Sequence, residues 1–347
     1  MREKSMPRPR PIHLITLLTL LALSGCTRQP QLQTIEGFAQ GTTWHITWWS
    51  PQTVDNAALQ QAVTERFAQI DAALSGYRPD SAIEQFNARL DTDPHEVSAE
   101  IVALVEQARA VHTASHGCYD LTIKPVFDLW GFRKDEFTPP DAAALQQTMA
   151  RIGMDKLITV DRGQLRKTRP DLQLDLASIG QGYSVGQIAA VLEQSGVQDY
   201  LVEIGGELQT RGHKPGGKPW RVAVEKPLAG ERKVDKIITI TRDTPLAVMT
   251  SGTYRHYFDR DGVRYSHILD ARTGRPVQHN TLSVTVLNPD PAVADAWSTA
   301  LLCLGMEAGI PVADAHGIAA LFIVTSAETL QEHPSRPWRE MQGVQVE

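Results

Sequence analysis

The chain has 347 residues, 42% of them hydrophobic and 6% aromatic, an ordinary globular balance with enough chain to bury a sizeable core. It carries 34 lysines and arginines against 40 acidic residues, a formal net charge of −6. Because nucleic acids and anionic membranes attract basic surfaces, this balance argues against a general binder of either. We therefore expect no nucleic-acid partner.

The N-terminal segment has the pattern of a bacterial export signal. Four basic residues within the first ten precede a mainly apolar run over residues 12–23. The alternative, an uncleaved transmembrane anchor, would need about 20 apolar residues. The sequence “LSGC” that follows resembles a lipobox, in which the cysteine, here Cys26, becomes the lipidated first residue of the mature chain. We predict a lipoprotein signal peptide at residues 1–25 and, at 26–33, a lipidated cysteine and polar tether that anchor the protein to a membrane.

Removal of this signal would leave 30 basic and 39 acidic residues, a formal charge of −9. Cys118 and Cys303 would be the cysteines that remain besides Cys26, and no Cys-x-x-Cys spacing occurs. This usage is typical of an exported fold that does not depend on disulfides. Cys303 lies in an apolar helical segment and is expected in the core, and the sequence leaves open whether the two cysteines pair.

Residues 34–347 contain no repeat, low-complexity tract or second long apolar segment, so we expect one compact unit. Hydrophobic spacing predicts helices over residues 56–74, after the N-cap Ser98 and after “PPD”. Strand-like runs lie at residues 43–49, 156–160, 172–176, 200–204, 220–224, 236–241, 282–287 and 319–324. Because strands outnumber helices and often follow one another directly, the pattern predicts an α+β (mixed α/β) fold with extended antiparallel sheets and packed helices.

The segment “LDLASIGQGYSVGQIAAVLEQSG” passes from a predicted strand through a glycine-bearing turn into a helix. Free backbone N–H groups and the positive end of the helix dipole at such a turn can bind a phosphate. The turn has no Walker ending, and its Gly180-x-Gly182 does not extend to the dinucleotide fingerprint. A tightly packed strand-to-helix turn is therefore the alternative.

Two further segments carry candidate site residues. “VEIGGELQTRG” ends a strand with Gly205 and Gly206, where the backbone can approach a flat or anionic ligand or simply form a hairpin turn. “MTSGTYRHYF” and “YSHILDARTGRPVQHN” bring Arg255, His256 and His267 close together in sequence. A solvated hairpin would explain the arginine, whereas a histidine inside a short apolar strand needs a partner or a function.

The segment “AVADAWSTALLCLG” at residues 292–305 begins polar and becomes almost wholly apolar. Its Asp295 and Thr299 are four residues apart and share one helix face, where a carboxylate and a hydroxyl can converge on one small cation. Mg²⁺ prefers such oxygens, and no His/Cys cluster at zinc spacing competes. In the structural alternative, Asp295 favours the helix N-terminus and Thr299 bonds back to the preceding turn.

In this order the segments resemble the ApbE family, the FAD:protein FMN transferases, which are exported lipoproteins in many Gram-negative bacteria. The resemblance runs from about Ile35 to Pro311, through “GTTWHIT”, “LSGYRPDSAIEQFN”, “YDLTIKPVFDLWGF”, “LDLASIGQGYSVG”, “YLVEIGGELQTRG”, “WRVAVEKP”, “SGTYRHYF”, “SHILDARTGRPVQHN” and “ADAWSTALLCLG”. It implies one T-fold-like catalytic domain, residues 34–347, that binds FAD with Mg²⁺. This domain would transfer the FMN half to a Thr (or Ser) side chain of a client protein and release AMP.

The resemblance also implies the site residues. The family's metal ligands fall on Ser178, Asp295 and Thr299, and some members add an acidic residue where this chain has Ser298. Many members have Met in place of Gln40 and a charged residue in place of Gln181, so flavin affinity is expected to differ. The flavin contacts fall on Gln40, Tyr77, Cys118, Tyr119, Asp120, Asp175, Gln181 and Leu269.

Cleavage of the FAD pyrophosphate requires in-line positioning and stabilisation of charge, which Mg²⁺ on Asp295 and Thr299 would supply. The attacking Thr must lose a proton, and a histidine with an ordinary pKa of about 6.5 can take it at neutral pH. We expect His267 of “SHILD” to be this catalytic base, with His256 as the second choice.

The resemblance implies a client that is an ion-pump subunit or an exported reductase with an FMN-acceptor motif. The enzyme would then be anchored on the periplasmic side of the inner membrane, although Thr27 leaves outer-membrane sorting open. Two alternatives remain. Water could replace the Thr, which makes the protein an FAD pyrophosphatase. A non-catalytic flavin-binding lipoprotein would keep Tyr77 and Asp175 but would not need Asp295 and Thr299 together.

Overall fold

A computed structural model describes residues 31–227, 234–326 and 329–347. The predicted signal peptide, Cys26 and the first part of the tether lie outside these residues. The helices are α1 Asn56–Leu74, α2 Ala82–Ala88, α3 Ala99–Ala114, α4 Lys124–Leu129, α5 Ala142–Met149, α6 Ala177–Gln194, α7 Pro291–His316 and α8 Arg336–Glu340. The strands are β1 Gln33–Ala39, β2 Thr42–Trp49, β3 Pro94–Glu96, β4 Leu157–Asp161, β5 Gln164–Lys167, β6 Asp199–Ile204, β7 Glu207–Arg211, β8 Trp220–Glu225, β9 Val234–Ile240, β10 Leu246–Gly252, β11 Tyr257–Arg260, β12 Val263–Ser266, β13 Leu269–Asp270, β14 Arg275–Pro276, β15 Thr281–Asn288, β16 Ala319–Ser326, β17 Thr329–Pro334 and β18 Val344–Val346.

The largest sheet has eight strands in the order β1-β2-β6-β7-β10-β15-β16-β17, and each neighbouring pair is antiparallel. Alternation along β2 turns Trp44, Ile46 and Trp48 toward one face, where α1, α3, α6 and α7 pack. On the other side, a three-stranded sheet, β18-β9-β8, forms a second apolar cluster with β7, β10 and β15. The predicted α+β class with extended antiparallel sheets is confirmed.

Most predicted elements form where the sequence pattern places them. Helix α1 covers residues 56–74, and the hydroxyl of Ser98 accepts from Ile101 N at the start of α3. The strand predicted at residues 172–176 is wrong, because the side chain of Asn87 takes the place of a neighbouring strand. Its Nδ2 donates to Leu174 O at 2.9 Å and its Oδ1 accepts from Leu174 N at 2.7 Å.

Helix α7 is the central helix of the core. It runs for 26 residues and bends at Gly305, whose φ of 73° and contact with the His279 ring leave no room for a side chain. Within the described ranges it is the one helix long and apolar enough to cross a membrane, judged by length and composition alone. In this fold it packs against α3, α6, β10 and β15.

A smaller aromatic cluster lies beside the large sheet and consists of Trp130, Phe132, Phe137, Phe258 and Tyr265. It joins the chain after α4 to the β11–β12 hairpin. The cluster supports the hairpin that leads into the “SHILD” segment.

Candidate functional site

The buried half of the candidate site lies where α6 crosses the start of α7. At Gly182 of α6, a Cβ atom would lie 2.2 Å from Pro291 O and 2.6 Å from Asp295 Cβ. The glycine therefore lets the two helices approach closely. Gly182 N donates to Asp295 Oδ2 at 2.8 Å, so the carboxylate is fixed against the first turns of α6.

The structure gives Asp295 no capping role. Asp290 caps α7, because its Oδ1 accepts from Ala292 N and Val293 N. Asp295 is only 8% exposed, and burial raises the pKa of its carboxyl to about 7, although backbone N–H groups oppose the shift. A buried carboxyl of this kind is stable when it is protonated or paired with a cation.

Hydroxyl groups continue the same helix face one turn after Asp295. Ser251 Oγ on β10 lies 2.7 Å from Ser298 Oγ and 3.1 Å from Thr299 Oγ1. Ser298 is fully buried and donates back to Asp295 O at 2.9 Å. Ser298, rather than Thr299, thus makes the bond to the preceding turn, and the half-buried Thr299 hydroxyl stands beside the carboxylate face.

These side chains fit a small hard cation. Asp295 and Thr299 present oxygen atoms from one helix face, and the charge of Asp295 acts on a second buried carboxyl, Glu207. Ser178 is the second residue of α6, one turn before Gly182, and its Oγ donates to the Tyr119 hydroxyl at 3.1 Å. Two neighbouring buried carboxyls repel each other when both are ionised, and a divalent cation relieves that repulsion.

A disulfide joins α7 to the loop of residues 118–120, where flavin contacts are predicted. Cys118 and Cys303 are bonded, with 6.0 Å between their Cα atoms, so the open question of whether they pair is resolved. Cys303 lies one turn beyond Thr299. The Asp270 carboxylate lies within 4.8 Å of both sulfurs, but sulfurs paired with each other are not the thiolates that a metal would require.

Hydrogen bonds within the protein fix the rest of this loop. Asp175 N donates to Leu121 O at 2.7 Å, which joins the loop to the start of α6. The carboxylate of Asp120 is buried and accepts from Thr122 N at 2.7 Å and from Met154 N at 3.1 Å. It is therefore occupied within the protein, and the flavin contact predicted at residue 120 would fall to its backbone.

The exposed half of the candidate site centres on Tyr77, whose ring is 81% exposed. The guanidinium of Arg133 lies 5.6 Å from the ring centroid, donates to Gly76 O at 2.7 Å and lies 3.6 Å from Asp175 Oδ2. Arg133 was not predicted, although it directly follows the segment “YDLTIKPVFDLWGF”. A ring held open beside a cation offers a flat stacking surface.

Two hairpin turns lie at the same end of the large sheet. Gln40 and Gly41 join β1 to β2 with φ of 53° and 77°, and Gly205 and Gly206 join β6 to β7 with φ of 59° and 98°. Positive φ at both residues is typical of tight hairpins. Gln181 Nε2 donates to Ile204 O at 2.7 Å, which brings the second turn against α6, while Gln40 is exposed at the tip of the first.

His267 is held as a neutral base. Its Nδ1 donates to His256 O at 2.9 Å, so the lone pair is on Nε2. Burial lowers the pKa of its imidazole to about 4, and the charges of His256 and Arg255 add to this effect. The expected ordinary pKa is therefore wrong: the ring is uncharged at neutral pH but is a weaker base. The two histidine rings stack at 5.6 Å, and Leu269 is buried in the adjoining aromatic cluster.

Two charged residues lie beside the buried half: Glu207, which was not predicted from the sequence, and Arg255, which was named there as a candidate in “MTSGTYRHYF”. Glu207 begins β7, is buried and accepts from Thr250 N at 2.8 Å. Burial raises the pKa of its carboxyl to about 8, the charge of Asp295 adds to the shift, and the positive charge of Arg255 opposes it. Arg255 Nη1 lies 3.8 Å from Glu207 Oε1. An acid directly after the Gly-Gly turn of “IGGEL” is the signal that could have drawn attention to Glu207.

Residues 40–322 match the model of the ApbE family. The chain is 36% identical to the FAD:protein FMN transferase of Vibrio cholerae serotype O1, over 94% of this chain and 97% of that protein. The chain belongs to the ApbE family. The solved flavin transferase ApbE of V. cholerae aligns with a TM-score of 0.81 and 34% identity, covering 90% of this chain and 99% of that one. The apo flavinyl transferase ApbE of Pseudomonas stutzeri aligns with a TM-score of 0.82 and 36% identity, covering 91% and 98%.

Against this ApbE fold, the residues singled out from sequence fall into three groups. Asp295, Thr299 and Ser178 stand at the crossing of α6 and α7. The loop of residues 118–120 and Asp175 connect that crossing to Tyr77. Gln40 lies on an exposed hairpin turn, and Leu269 is buried in the aromatic cluster with its carbonyl oxygen 3.8 Å from Cys303 Sγ.

Proposed function

We propose that this protein is an FAD:protein FMN transferase. A hydroxyl oxygen of a client Thr or Ser forms a bond to the FMN phosphorus of FAD, the bond from that phosphorus to the bridging oxygen breaks, and AMP leaves. The observation that carries the proposal is that Asp295 and Thr299 lie one helical turn apart on α7, with Asp295 bonded to Gly182 of α6 and Thr299 beside Ser251 of β10. Relatives of this chain carry the same activity in their names.

The proposed metal site consists of Asp295 and Thr299, with Ser178 at the start of α6. Bound Mg²⁺ would neutralise charge on the pyrophosphate and on the departing phosphate. The protein holds Asp295 ready for this role through the N–H of Gly182. Burial excludes water from the carboxylate, so its interaction with a cation is stronger than in solvent.

The proposed base is His267, which takes the proton of the attacking hydroxyl on Nε2. The bond from Nδ1 to His256 O fixes the ring and its tautomer. We expect His267→Ala to lose nearly all client labelling, measured by in-gel flavin fluorescence, while His256→Ala keeps most of it. Near-wild-type labelling by His267→Ala would show that another group accepts the proton.

The proposed flavin site extends from Tyr77 along residues 118–120 and Asp175 to Gln181 and the two hairpin turns. Tyr77 offers the stacking surface, and the buried loop supplies backbone groups beside it. The Gly205–Gly206 turn carries no Cβ, so a phosphate can approach its backbone closely.

The decisive experiment compares Asp295→Asn with Ser298→Ala. Each protein is incubated with FAD and Mg²⁺, with and without a periplasm-facing redox protein that carries a candidate acceptor Thr. Free FMN, AMP and the intact mass of the acceptor are measured. We expect the wild type and Ser298→Ala to add the mass of FMN to the acceptor with release of AMP, and Asp295→Asn to add none.

The other outcomes identify the alternatives. Release of FMN and AMP with an unlabelled acceptor would make the protein an FAD pyrophosphatase. Flavin binding without release of AMP, unchanged in Asp295→Asn, would make it a carrier. Removal of the metal with EDTA should reproduce the Asp295→Asn result, because both changes remove the same proposed interaction.

We also propose that residues 34–347 act as one catalytic domain anchored through a lipid on Cys26 to the periplasmic side of the inner membrane. The Cys118–Cys303 disulfide supports export, because disulfides persist in oxidising compartments. The proposed client is an ion-pump subunit or exported reductase that faces the same compartment. Cys26→Ser should move the protein from the membrane to the soluble fraction; continued membrane association would contradict the lipid anchor.

A further inference from the structure

Glu207 and Arg255 form an ion pair that has no role in the chemistry proposed above. The pair lies near the α7 face that carries the proposed metal ligands. Glu207 is 5% exposed, and its Oε2 accepts from Thr250 N, the residue before Ser251 on β10. Ser251 in turn contacts Thr299. The carboxylate that holds Arg255 is therefore fixed by the same strand that supports the proposed metal ligand.

Arg255 leans from Glu207 over the Gly205–Gly206 turn. A Cβ on Gly206 would lie 3.4 Å from Arg255 Nη2, and the side chain of Arg255 is about a third exposed. Glu207, Tyr254 and Glu225 raise the pKa of its guanidinium, so Arg255 keeps its positive charge. A planar group with several N–H donors can bind one partner along one edge and an anion along another.

The site has another cation, Arg133, but two of its donors bind groups elsewhere in the protein. Arg133 Nε donates to Asp128 Oδ1 at 2.6 Å and Nη1 donates to Gly76 O at 2.7 Å, beside the exposed ring of Tyr77. Arg255 is instead next to the buried carboxyl of Glu207, and its charge acts on His267. It therefore stands where the proposed reaction would place the phosphates rather than the flavin ring.

We propose that Arg255 binds the pyrophosphate oxygens of the flavin substrate and that Glu207 is a positioning residue that fixes the Arg255 guanidinium. The inference rests on the proposed use of FAD. Glu207 is too deeply buried to bind an anion itself, so it acts through Arg255. A bidentate contact of this kind depends on the planar guanidinium, which a lysine ammonium does not reproduce.

The test measures equilibrium binding of riboflavin, FMN and FAD by flavin fluorescence, in EDTA so that no metal contributes. We expect Arg255→Gln to weaken FAD binding about 10- to 100-fold, since charge-assisted hydrogen bonds are lost, and to leave riboflavin binding unchanged. Arg255→Lys should fall between Arg255→Gln and the wild type. Inorganic pyrophosphate should compete with FAD for the wild type and not for Arg255→Gln.

A double-mutant cycle tests the part played by Glu207. Glu207→Gln keeps an acceptor for Thr250 N and should weaken FAD binding by less than Arg255→Gln does. The double variant should bind FAD no more weakly than Arg255→Gln alone, because Glu207 acts only through the arginine. Additive losses would overturn the positioning role of Glu207. Urea unfolding of each variant shows whether a loss of binding reflects a loss of fold.

Failure of this inference is distinguishable from failure of the proposed function. If the wild type binds FAD and labels its acceptor but Arg255→Gln binds FAD equally well, only the inference is wrong. If riboflavin binding falls as much as FAD binding, Arg255 supports the flavin ring and the pyrophosphate assignment is wrong. If the wild type binds no flavin, both proposals are wrong.

Discussion

Asp295 and Tyr77 belong to the same candidate site, yet the first side chain is 8% exposed and the second 81%. Asp295 is fixed by a backbone N–H from α6, at a helix crossing with no room for a methyl group. The ring of Tyr77 is held at the surface beside one guanidinium. The chemistry of a charged transition state requires groups that are fixed before the substrate arrives, whereas stacking on a flat ring tolerates small movements.

This difference in burial predicts which property each substitution will change. Substitutions at the α6–α7 crossing should alter stability and metal binding together, because the same contacts serve both. Substitutions around Tyr77 should alter flavin affinity and leave stability nearly unchanged. The disulfide connects the two halves and should have the largest effect on stability.

Removal of the disulfide is expected to cost the most. Cys118→Ser with Cys303→Ser should lower the free energy of unfolding by about 2–4 kcal/mol, since the bond closes a loop between residues 185 positions apart. The measurement is urea unfolding with and without a reductant. Reductant should bring the wild type close to the variant and leave the variant unaffected. An unchanged wild-type curve, with reduction verified by thiol titration, would show that the bond adds no stability.

The next largest effect is expected at the helix crossing. Gly182→Ala places a Cβ 2.2 Å from Pro291 O and should cost about 1–3 kcal/mol of stability through overpacking. It should also weaken metal binding, because Asp295 and α6 are forced apart. Urea unfolding and isothermal titration with Mg²⁺ measure the two effects.

Gly180→Ala is the matched control, because it lies in the same helix and a Cβ there meets nothing within 4 Å. It should leave metal binding unchanged and should stabilise the helix by up to about 1 kcal/mol, the ordinary preference for Ala over Gly. Equal behaviour of the two variants would contradict the close-packed crossing.

The burial of His267 predicts a dependence of stability on pH. Its pKa is about 4 in the fold and near the ordinary 6.5 in the unfolded chain, so between these values the unfolded chain binds a proton that the fold does not. The contribution of His267 to stability should therefore be lost as pH falls from about 6.5 toward 4, and His267→Gln should remove this pH dependence. Burial also lowers the pKa of His279, which acts in the same direction, whereas the raised pKa values of Asp295 and Glu207 act in the opposite direction; these groups are the same in both proteins. Parallel curves for the two proteins, from urea midpoints at several pH values, would contradict the shift.

The sequence predicted contacts between residues that are close along the chain and missed contacts between residues that are far apart. Asp295 and Thr299 lie four residues apart, and helical spacing alone placed them on one face. Glu207 and Arg255 are brought together by the pairing of β7 with β10, in which Leu208 lies opposite Val248. No local pattern carries that register, and the same is true of a disulfide between residues 185 positions apart.

The incorrect strand prediction at residues 172–176 has the same cause, a contact between residues far apart in the sequence. Its alternation of apolar residues is real, and Leu172, Leu174 and Leu176 are buried. The hydrogen-bonding partner of the segment is a side chain, Asn87, and not another strand. Periodicity reports which side chains are buried and cannot report what satisfies the backbone.

The smallest effect on stability is expected at Tyr77, where the open half can be tested alone. Tyr77→Leu should change the free energy of unfolding by less than about 0.5 kcal/mol, since an exposed ring contributes little packing. The same change should weaken riboflavin binding by about 2- to 10-fold, the range for loss of an aromatic stack, and Tyr77→Phe should restore it. Fluorescence titration measures the affinity. Because riboflavin has no phosphate, it reports on this half of the site separately from Arg255 and Asp295. A loss of stability that matches the loss of affinity would mean that Tyr77 supports the fold and that the two halves are not independent.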